Sequence, residues 1–324
     1  MNGTGNAGTT VLNVAGSEDL GGGLKANFLL QITPDFVNGA GVQGTSVTTT
    51  DNTSGAVKSA GVGNAQQAFL GLSGNFGEVQ AGRVNSNALD AWGVGSAFGT
   101  ALGSGYGSNG NIYTRYSATA TATAQTAPTR FNGAVRYISP AFNGFSGSLL
   151  VVPKGASDNI QAVTDLGLKY ANGPLNVMFA SQEIKQYGTQ AAFSGFIPTA
   201  STGAAVLANG ESNKLNALSA NYTFGAATVY GAYWTEKQGT AVNAAGQMIG
   251  AKYTVGATTL MASFGRNNDK LAANADSKIY GIGADYALSK RSSLFARYEN
   301  RDKDTTSAAN DVTKVTSIGI KHTF

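Results

Sequence analysis

Apolar and polar residues alternate along most of this chain. In "LKANFLLQI" the apolar side is Leu24, Ala26, Phe28, Leu30 and Ile32, opposed by Lys25, Asn27 and Gln31. "DLGLKY" sets Leu166, Leu168 and Tyr170 against Asp165, Gly167 and Lys169. "LSANYTF" and "IGAKY" divide the same way, with Tyr222 and Tyr253 on their apolar sides. Period two is the pattern of a strand with unlike faces. About fifteen such runs follow one another at the spacing of antiparallel all-β architecture, and helical signals are nearly absent. The last run, "VTSIGIKHTF", ends the chain on Phe324. One run, "ATVYGAYWTE", does not sort into faces.

The connections alternate in length. Short ones ("SEDLGGG", "NFG", "SPAFNG", "NGP", "FGA", "VGA", "LSKR") take turns with long ones rich in Gly, Ala, Ser, Thr and Asn, such as residues 33–64, 84–129 and 185–213. Short turns at one end and long loops at the other predict an up-and-down meander. Tyr137, Tyr170, Tyr222, Tyr253 and Tyr286 each stand three residues before the residue that opens a short turn. Five tyrosines at one height predict an aromatic girdle where an apolar wall meets water.

The polar sides carry too few charges for a solvated surface, and the apolar sides are modest in size. Apolar residues facing lipid and polar residues facing a water-filled interior satisfy both observations. The runs are long enough, since a tilted membrane strand needs only about 9–11 residues. Closure also removes exposed strand edges. The expectation is a single transmembrane antiparallel up-and-down β-barrel over residues 1–324. Its first strand enters a short turn and its last ends on the short-turn side, which makes the strand count odd. Bacterial barrels have even counts, so one further strand, with an export signal, is expected before Met1.

Composition agrees. Charged residues are 12% of the chain, about half of the usual share. Cys is absent, so no thiolate catalysis, disulfide or cysteine-held metal is available. The 22 basic residues, for a net charge of +4, form no cluster, which argues against nucleic acid as a partner. His322 is the only histidine, so an HExxH zinc site cannot form, and no G-x-S-x-G elbow accompanies it. "GVGSAFG" lacks dinucleotide-binding spacing. No enzyme, metal or cofactor is expected.

"GSEDLGGGLKA" (residues 16–26), "LSGNFGEVQAGR" (72–83), "RFNGAVRYISP" (130–140) and terminal Phe324 together resemble the trimeric general porins of beta-proteobacterial outer membranes, which are sixteen-stranded barrels. The resemblance covers essentially the whole chain and departs at the N-terminus, where the family's first strand is missing. It implies an outer-membrane location among lipid and lipopolysaccharide, a homotrimer, and recognition of Phe324 by the barrel-assembly machinery. It also implies that residues 84–129 fold inward as a constriction, with Asp90, Arg115, Arg130 and Arg83 as its charges. Two family arginine positions are occupied here by Val11 and Gln66, which speaks against strong anion selectivity.

Parity sets Lys25, Arg136, Lys169, Lys252 and Arg297 inward, against Glu78, Asp165, Asp285 and Glu299. The expected activity is passive diffusion of ions and small hydrophilic solutes with a mild or absent anion preference. Trp92 is expected to pack the inward loop on the wall rather than to grip a sugar. A substrate-specific channel and a surface adhesin are the alternatives. The first would want an aromatic track and a dense charge cluster; the second a fixed-period repeat, which the unequal loops lack.

Overall fold

The computed structural model describes residues 7–8, 10–35, 41–42, 48–50, 57–59, 65–105, 114–115, 125–126, 130–154, 161–186, 210–239, 242–270, 276–303 and 312–324. Its main feature is a 15-stranded antiparallel sheet in which each strand pairs with the next. The strands are β1 (Leu12–Gly21), β2 (Leu24–Ile32), β3 (Ala65–Gly74), β4 (Gly77–Asn85), β5 (Arg130–Ile138), β6 (Phe145–Val152), β7 (Gln161–Asn172) and β8 (Leu175–Gln186). There follow β9 (Ser212–Phe224), β10 (Ala227–Gln238), β11 (Val242–Val255), β12 (Thr258–Asp269), β13 (Ser277–Ala287), β14 (Ser292–Lys303) and β15 (Val312–His322). All fifteen alternating runs are strands of this sheet. The order starts at β1 and stops at β15, and no pairing joins the two among the described residues.

Turn chemistry explains the tight end of the meander. Gly173, Gly225 and Gly256, which open the β7–β8, β9–β10 and β11–β12 turns, have φ of 55°, 59° and 56°. Positive φ at the first loop residue is what a two-residue hairpin turn matched to strand twist asks for, and glycine adopts it without a Cβ clash. Short ribbons lie within the long connections: Pro34–Asp35 with Gly41–Val42, Thr48–Thr50 with Val57–Ser59, and Thr114–Arg115 with Gln125–Thr126.

One face of the sheet is apolar and bare. Leu149 faces Leu166, Leu168 faces Phe179, Leu218 faces Tyr233, Tyr253 faces Leu260, and Leu294 faces Ile320 across the strands. These side chains are exposed, as are Tyr137, Tyr222, Tyr253 and Tyr286 near the short turns, and Tyr170 is half-buried beside Phe145 at 4.5 Å. In water such a belt would be unfavourable. In hydrocarbon it is the expected exterior. β10 sorts once its neighbours are known: Val229, Gly231 and Tyr233 look out, while Ala232, Trp234 and Glu236 are buried on the other face.

That other face is covered by residues 86–105, and their path requires the sheet to curl. Helix α1 (Asn87–Gly95) begins beside Arg136 on β5. Further on, Gly103 bonds to Glu299 on β14. In a flat sheet these two strands would be about 43 Å apart, nine spacings of about 4.8 Å. The nine-residue helix spans about 13 Å. The residues after it form consecutive tight turns (Gly99 N to Ser96 O, Ala101 N to Phe98 O, Ser104 N to Ala101 O) and add only about 16 Å. The segment is too short to bridge a flat sheet. It lies inside a curved one, as the inner lining of a barrel.

The inner loop and the face it covers

The helix in this segment was not foreseen from hydrophobic periodicity, though its start is readable. Ser86 caps it, accepting a hydrogen bond from Leu89 N at 3.1 Å, and Asp90 sits in the first turn, where the helix dipole favours an acid. Ala88, Ala91 and Trp92 turn toward the wall. They pack against Met178, Ala180, Leu215, Ala217, Ala232, Trp234 and Met248, all on inward strand positions. Trp92 is fully buried, its ring 6.1 Å from Trp234 and edge-on to it, and its Nε1 donates to Gly99 O at 2.8 Å. Trp234 fits because Gly246 opposite it has no side chain; a Cβ there would strike the indole.

Polar contacts hold both ends of the segment. At the start, Asn87 N donates to Asp165 Oδ2 at 2.7 Å and Asn87 Nδ2 to Asp165 O at 2.8 Å. Arg136 Nη2 reaches Asn87 Oδ1 at 2.9 Å and Asp90 Oδ2 at 2.6 Å, and its Nη1 donates to Asn85 O at 3.2 Å. In the middle, Asn221 Nδ2 donates to Val94 O at 2.9 Å. At the far end, Glu299 Oε2 accepts from Gly103 N at 2.7 Å and Gly105 N at 3.0 Å, while Arg301 Nε donates to Oε1 of the same carboxylate. Ser263 Oγ donates to Gly103 O. Phe98 lies under Arg297, whose Nη2 is 2.6 Å from Asp285 Oδ1. Charge-assisted bonds of this kind are about twice as strong as neutral ones.

The close approach at Gly103 depends on a second glycine. A Cβ on Gly281 would collide with the Gly103 carbonyl. Gly281→Val is therefore expected to lower stability by about 1–3 kcal/mol, read as a lower urea midpoint, whereas Gly283→Ala, which meets only side-chain atoms, should cost less. Equal midpoints would mean that the loop is not seated on β13.

The site differs from what parity and resemblance predicted in three ways. First, the inner wall is not uniformly polar. Besides the cluster under α1, Val84, Phe131, Ala134, Leu150, Val152, Val163 and Ile184 form a second dry group on it. Second, Asp90 is not an isolated charge of the loop, because Arg136 pairs with it. Third, Arg83 and Arg130 fall out of phase with the inner wall. Arg83 pairs with Ala68 and donates to Asn132 at 2.6 Å, and Arg130 pairs with Asn85. Their chain neighbours Val84 and Phe131 are the buried, inward residues. The reason at Arg130 is a bulge between Phe131 and Ala134, where one extra residue on β5 reverses the alternation. The Arg115 side chain lies outside the described residues.

Lys25, opposite Asp19, lies across from Ser73, whose neighbour across the next pair is Glu78; Gln80 Nε2 donates to Glu78 at 3.1 Å. Lys169 and Lys252 are on the inward register, and Lys252 Nζ is 5.5 Å from the Tyr230 ring.

The family model described as Gram-negative porin matches residues 1–306. The chain belongs to the Gram-negative porin family. This porin is 32% identical over 180 residues to major outer membrane protein P.IB of Neisseria gonorrhoeae, a match covering 53% of this chain and 40% of that protein. The chain thus corresponds to less than half the length of that relative. An outer membrane porin protein of Bordetella pertussis is 25% identical over 340 residues, covering 95% of this chain and 80% of the relative. Among solved structures, the anion-selective porin from Comamonas acidovorans superimposes with a TM-score of 0.66 at 21% identity, covering 99% of this chain and 91% of that one. OmpF of Salmonella typhi, solved with daunomycin, gives 0.64 at 15% identity, covering 99% and 93%. This porin is accordingly an outer-membrane β-barrel of a Gram-negative bacterium.

Proposed function

We propose that this porin is a general diffusion channel, admitting ions and small hydrophilic solutes through a water-filled lumen narrowed by residues 84–129. One observation carries the reading: residues 86–105 lie against the charged face of a sheet whose opposite face is a bare apolar belt. A segment pinned to one wall narrows a lumen without filling it. Among the described residues the lining offers no catalytic arrangement, and an enzyme is not proposed.

Selectivity follows from which charges stay uncompensated. Arg136, Arg297 and Arg301 are paired with Asp90, Asp285 and Glu299. Toward the short turns the inward register carries Lys25, Lys169, Lys252 and Lys321 against Asp19 and Glu78. Pairing cancels most of the field at the loop, and the lysines bias the vestibule only mildly. In planar bilayers under a tenfold KCl gradient, the reversal potential should stay within about 15 mV of zero, on the side of chloride. A strongly cation-selective potential would contradict the charge assignment, and failure to conduct would contradict the channel itself.

The outer face of β3–β5 supports a homotrimer. Arg83 stands only four residues from Val79, which pairs with girdle residue Tyr137, so its register places it within the height of the apolar belt. A guanidinium there is costly against lipid and is satisfied by protein, starting with Asn132. Arg83→Glu is expected to shift the porin from trimer to monomer in light scattering of detergent-solubilised protein; an unchanged trimer would remove this face from the interface. Phe324, fully exposed at the chain end with His322 at 4.7 Å, is proposed as the contact for the assembly machinery. Tyr137, Tyr170, Tyr222, Tyr253 and Tyr286 are proposed as the girdle on the short-turn side.

A further inference from the structure

Residues 86–105 bury almost everything they carry. Ala88, Ala91, Trp92 and Gly95 of α1 lie against the wall, Leu89, Asp90 and Val94 are half-buried, and residues 96–105 are buried or half-buried in the turns that follow. Among the described residues of this segment, only Gly93 is exposed. At about 100° of helix rotation per residue it falls on the side away from the wall contacts of Ala91, Trp92 and Gly95. Because the curved sheet surrounds the segment, that side looks into the open interior.

Nothing local asks for glycine at this position. In a helix interior glycine is disfavoured roughly fivefold against alanine. At Gly95 the wall requires it, since a Cβ would stand 2.7 Å from Ala232 Cβ and 2.8 Å from Ser219 Oγ. Gly99, Gly103 and Gly105 have positive φ. Gly93 has neither reason: its φ lies outside the left-handed region, and a Cβ there would meet nothing within 4 Å. What the missing side chain provides is free space in the lumen.

The same edge adds no free charge. Asp90 is the single charged residue between positions 86 and 105, and Arg136 holds it at 2.6 Å. A solute passing the helix therefore meets bare backbone, flanked by Leu89 and a compensated carboxylate.

We infer that Gly93 is the residue through which the inner segment sets the size limit of the channel, as an uncharged sieve for neutral and zwitterionic solutes such as sugars and amino acids. The inference deepens the diffusion-channel reading and rests on it. A side chain at this position narrows the path and leaves the wall contacts of α1 intact, because those belong to the opposite side of the helix.

The test uses the whole porin in planar bilayers and in liposomes. Gly93→Trp should lower single-channel conductance to about half, and should slow a disaccharide about tenfold but a pentose only about twofold, since selectivity follows pore diameter. The reverse order, with the larger sugar favoured, would mean a loosened loop and would overturn the inference. Gly93→Ala should raise the urea midpoint and keep conductance within about a tenth of wild type. Where the tryptophan variant fails to insert, Gly93→Cys serves, because the chain has no cysteine of its own. A cationic methanethiosulfonate added to its open channels should reduce current and move the reversal potential toward chloride, and an anionic one should move it toward cations. Wild-type conductance and sugar ratio in Gly93→Trp, no response of Gly93→Cys to either reagent, or a lower urea midpoint in Gly93→Ala would overturn the assignment of Gly93 alone. A wild-type protein that does not conduct would overturn the channel reading and this assignment with it.

Discussion

Trp92→Ala is expected to cost about 3–5 kcal/mol, the range for deleting a buried tryptophan, and to loosen the inner loop. The indole is fully enclosed, meets Trp234 edge-on, and ties the helix to the turn that follows through Gly99 O. Its loss leaves a cavity between α1 and the wall formed by β8–β11 that alanine neighbours cannot fill. The strands keep their ladders, so the barrel still forms while the loop fluctuates. Open-channel current noise should rise and closure should occur at lower applied voltage, alongside a lower urea midpoint. Trp234→Ala should do the same, and the two should be non-additive because they remove one contact. A quiet channel with wild-type voltage tolerance in both variants would mean that the indole pair does not hold the loop.

Arg136→Met is the second large effect. The guanidinium serves Asp90, Asn87 and Asn85 together, and its side chain is almost completely buried. Removing it strands Asp90, and it also takes the compensating charge away from Asp165, which is fully buried on the same wall. Breaking a buried pair on one side costs about 3–5 kcal/mol, more than the pair itself contributes. The uncovered Asp90 carboxylate should also turn the reversal potential toward cations. Adding Asp90→Asn should restore part of both losses, and Arg136→Lys should restore charge but not the forked geometry. If the reversal potential were unmoved in Arg136→Met, these groups would not border the ion path.

The strands were legible because a β-strand's side-chain period is local. Any run with one lipid face must alternate, whatever its neighbours do. The tyrosines near the short turns were legible for a related reason: each is fixed by its distance to a turn in its own hairpin. Helix α1 was not, although Ser86 and Asp90 announce its start. It has nine residues, two of them glycines, and its apolar side is defined only by the wall it meets.

Phase and partnership were also beyond a local reading. β10 would not sort because Tyr233 and Trp234 are both large and aromatic. One faces lipid and the other faces Trp92, and nothing in "GAYWTE" distinguishes a lipid neighbour from a loop neighbour. Plain counting from Glu78 sets Arg83 on the outer face, against the expectation carried over from the family. At Arg130 counting from Arg136 gives the wrong face, because the bulge after Phe131 consumes one residue. The pairing of Arg136 with Asp90 joins residues 46 apart in the chain, and that of Glu299 with Gly103 residues 196 apart. Such contacts depend on how far the sheet curls and where the loop crosses it. The sequence alone determined a lipid-facing barrel with a charged lining, since hydrophobic alternation is a property of each strand. Which of those linings stays wet, and which charges cancel, only the folded loop against its wall decided.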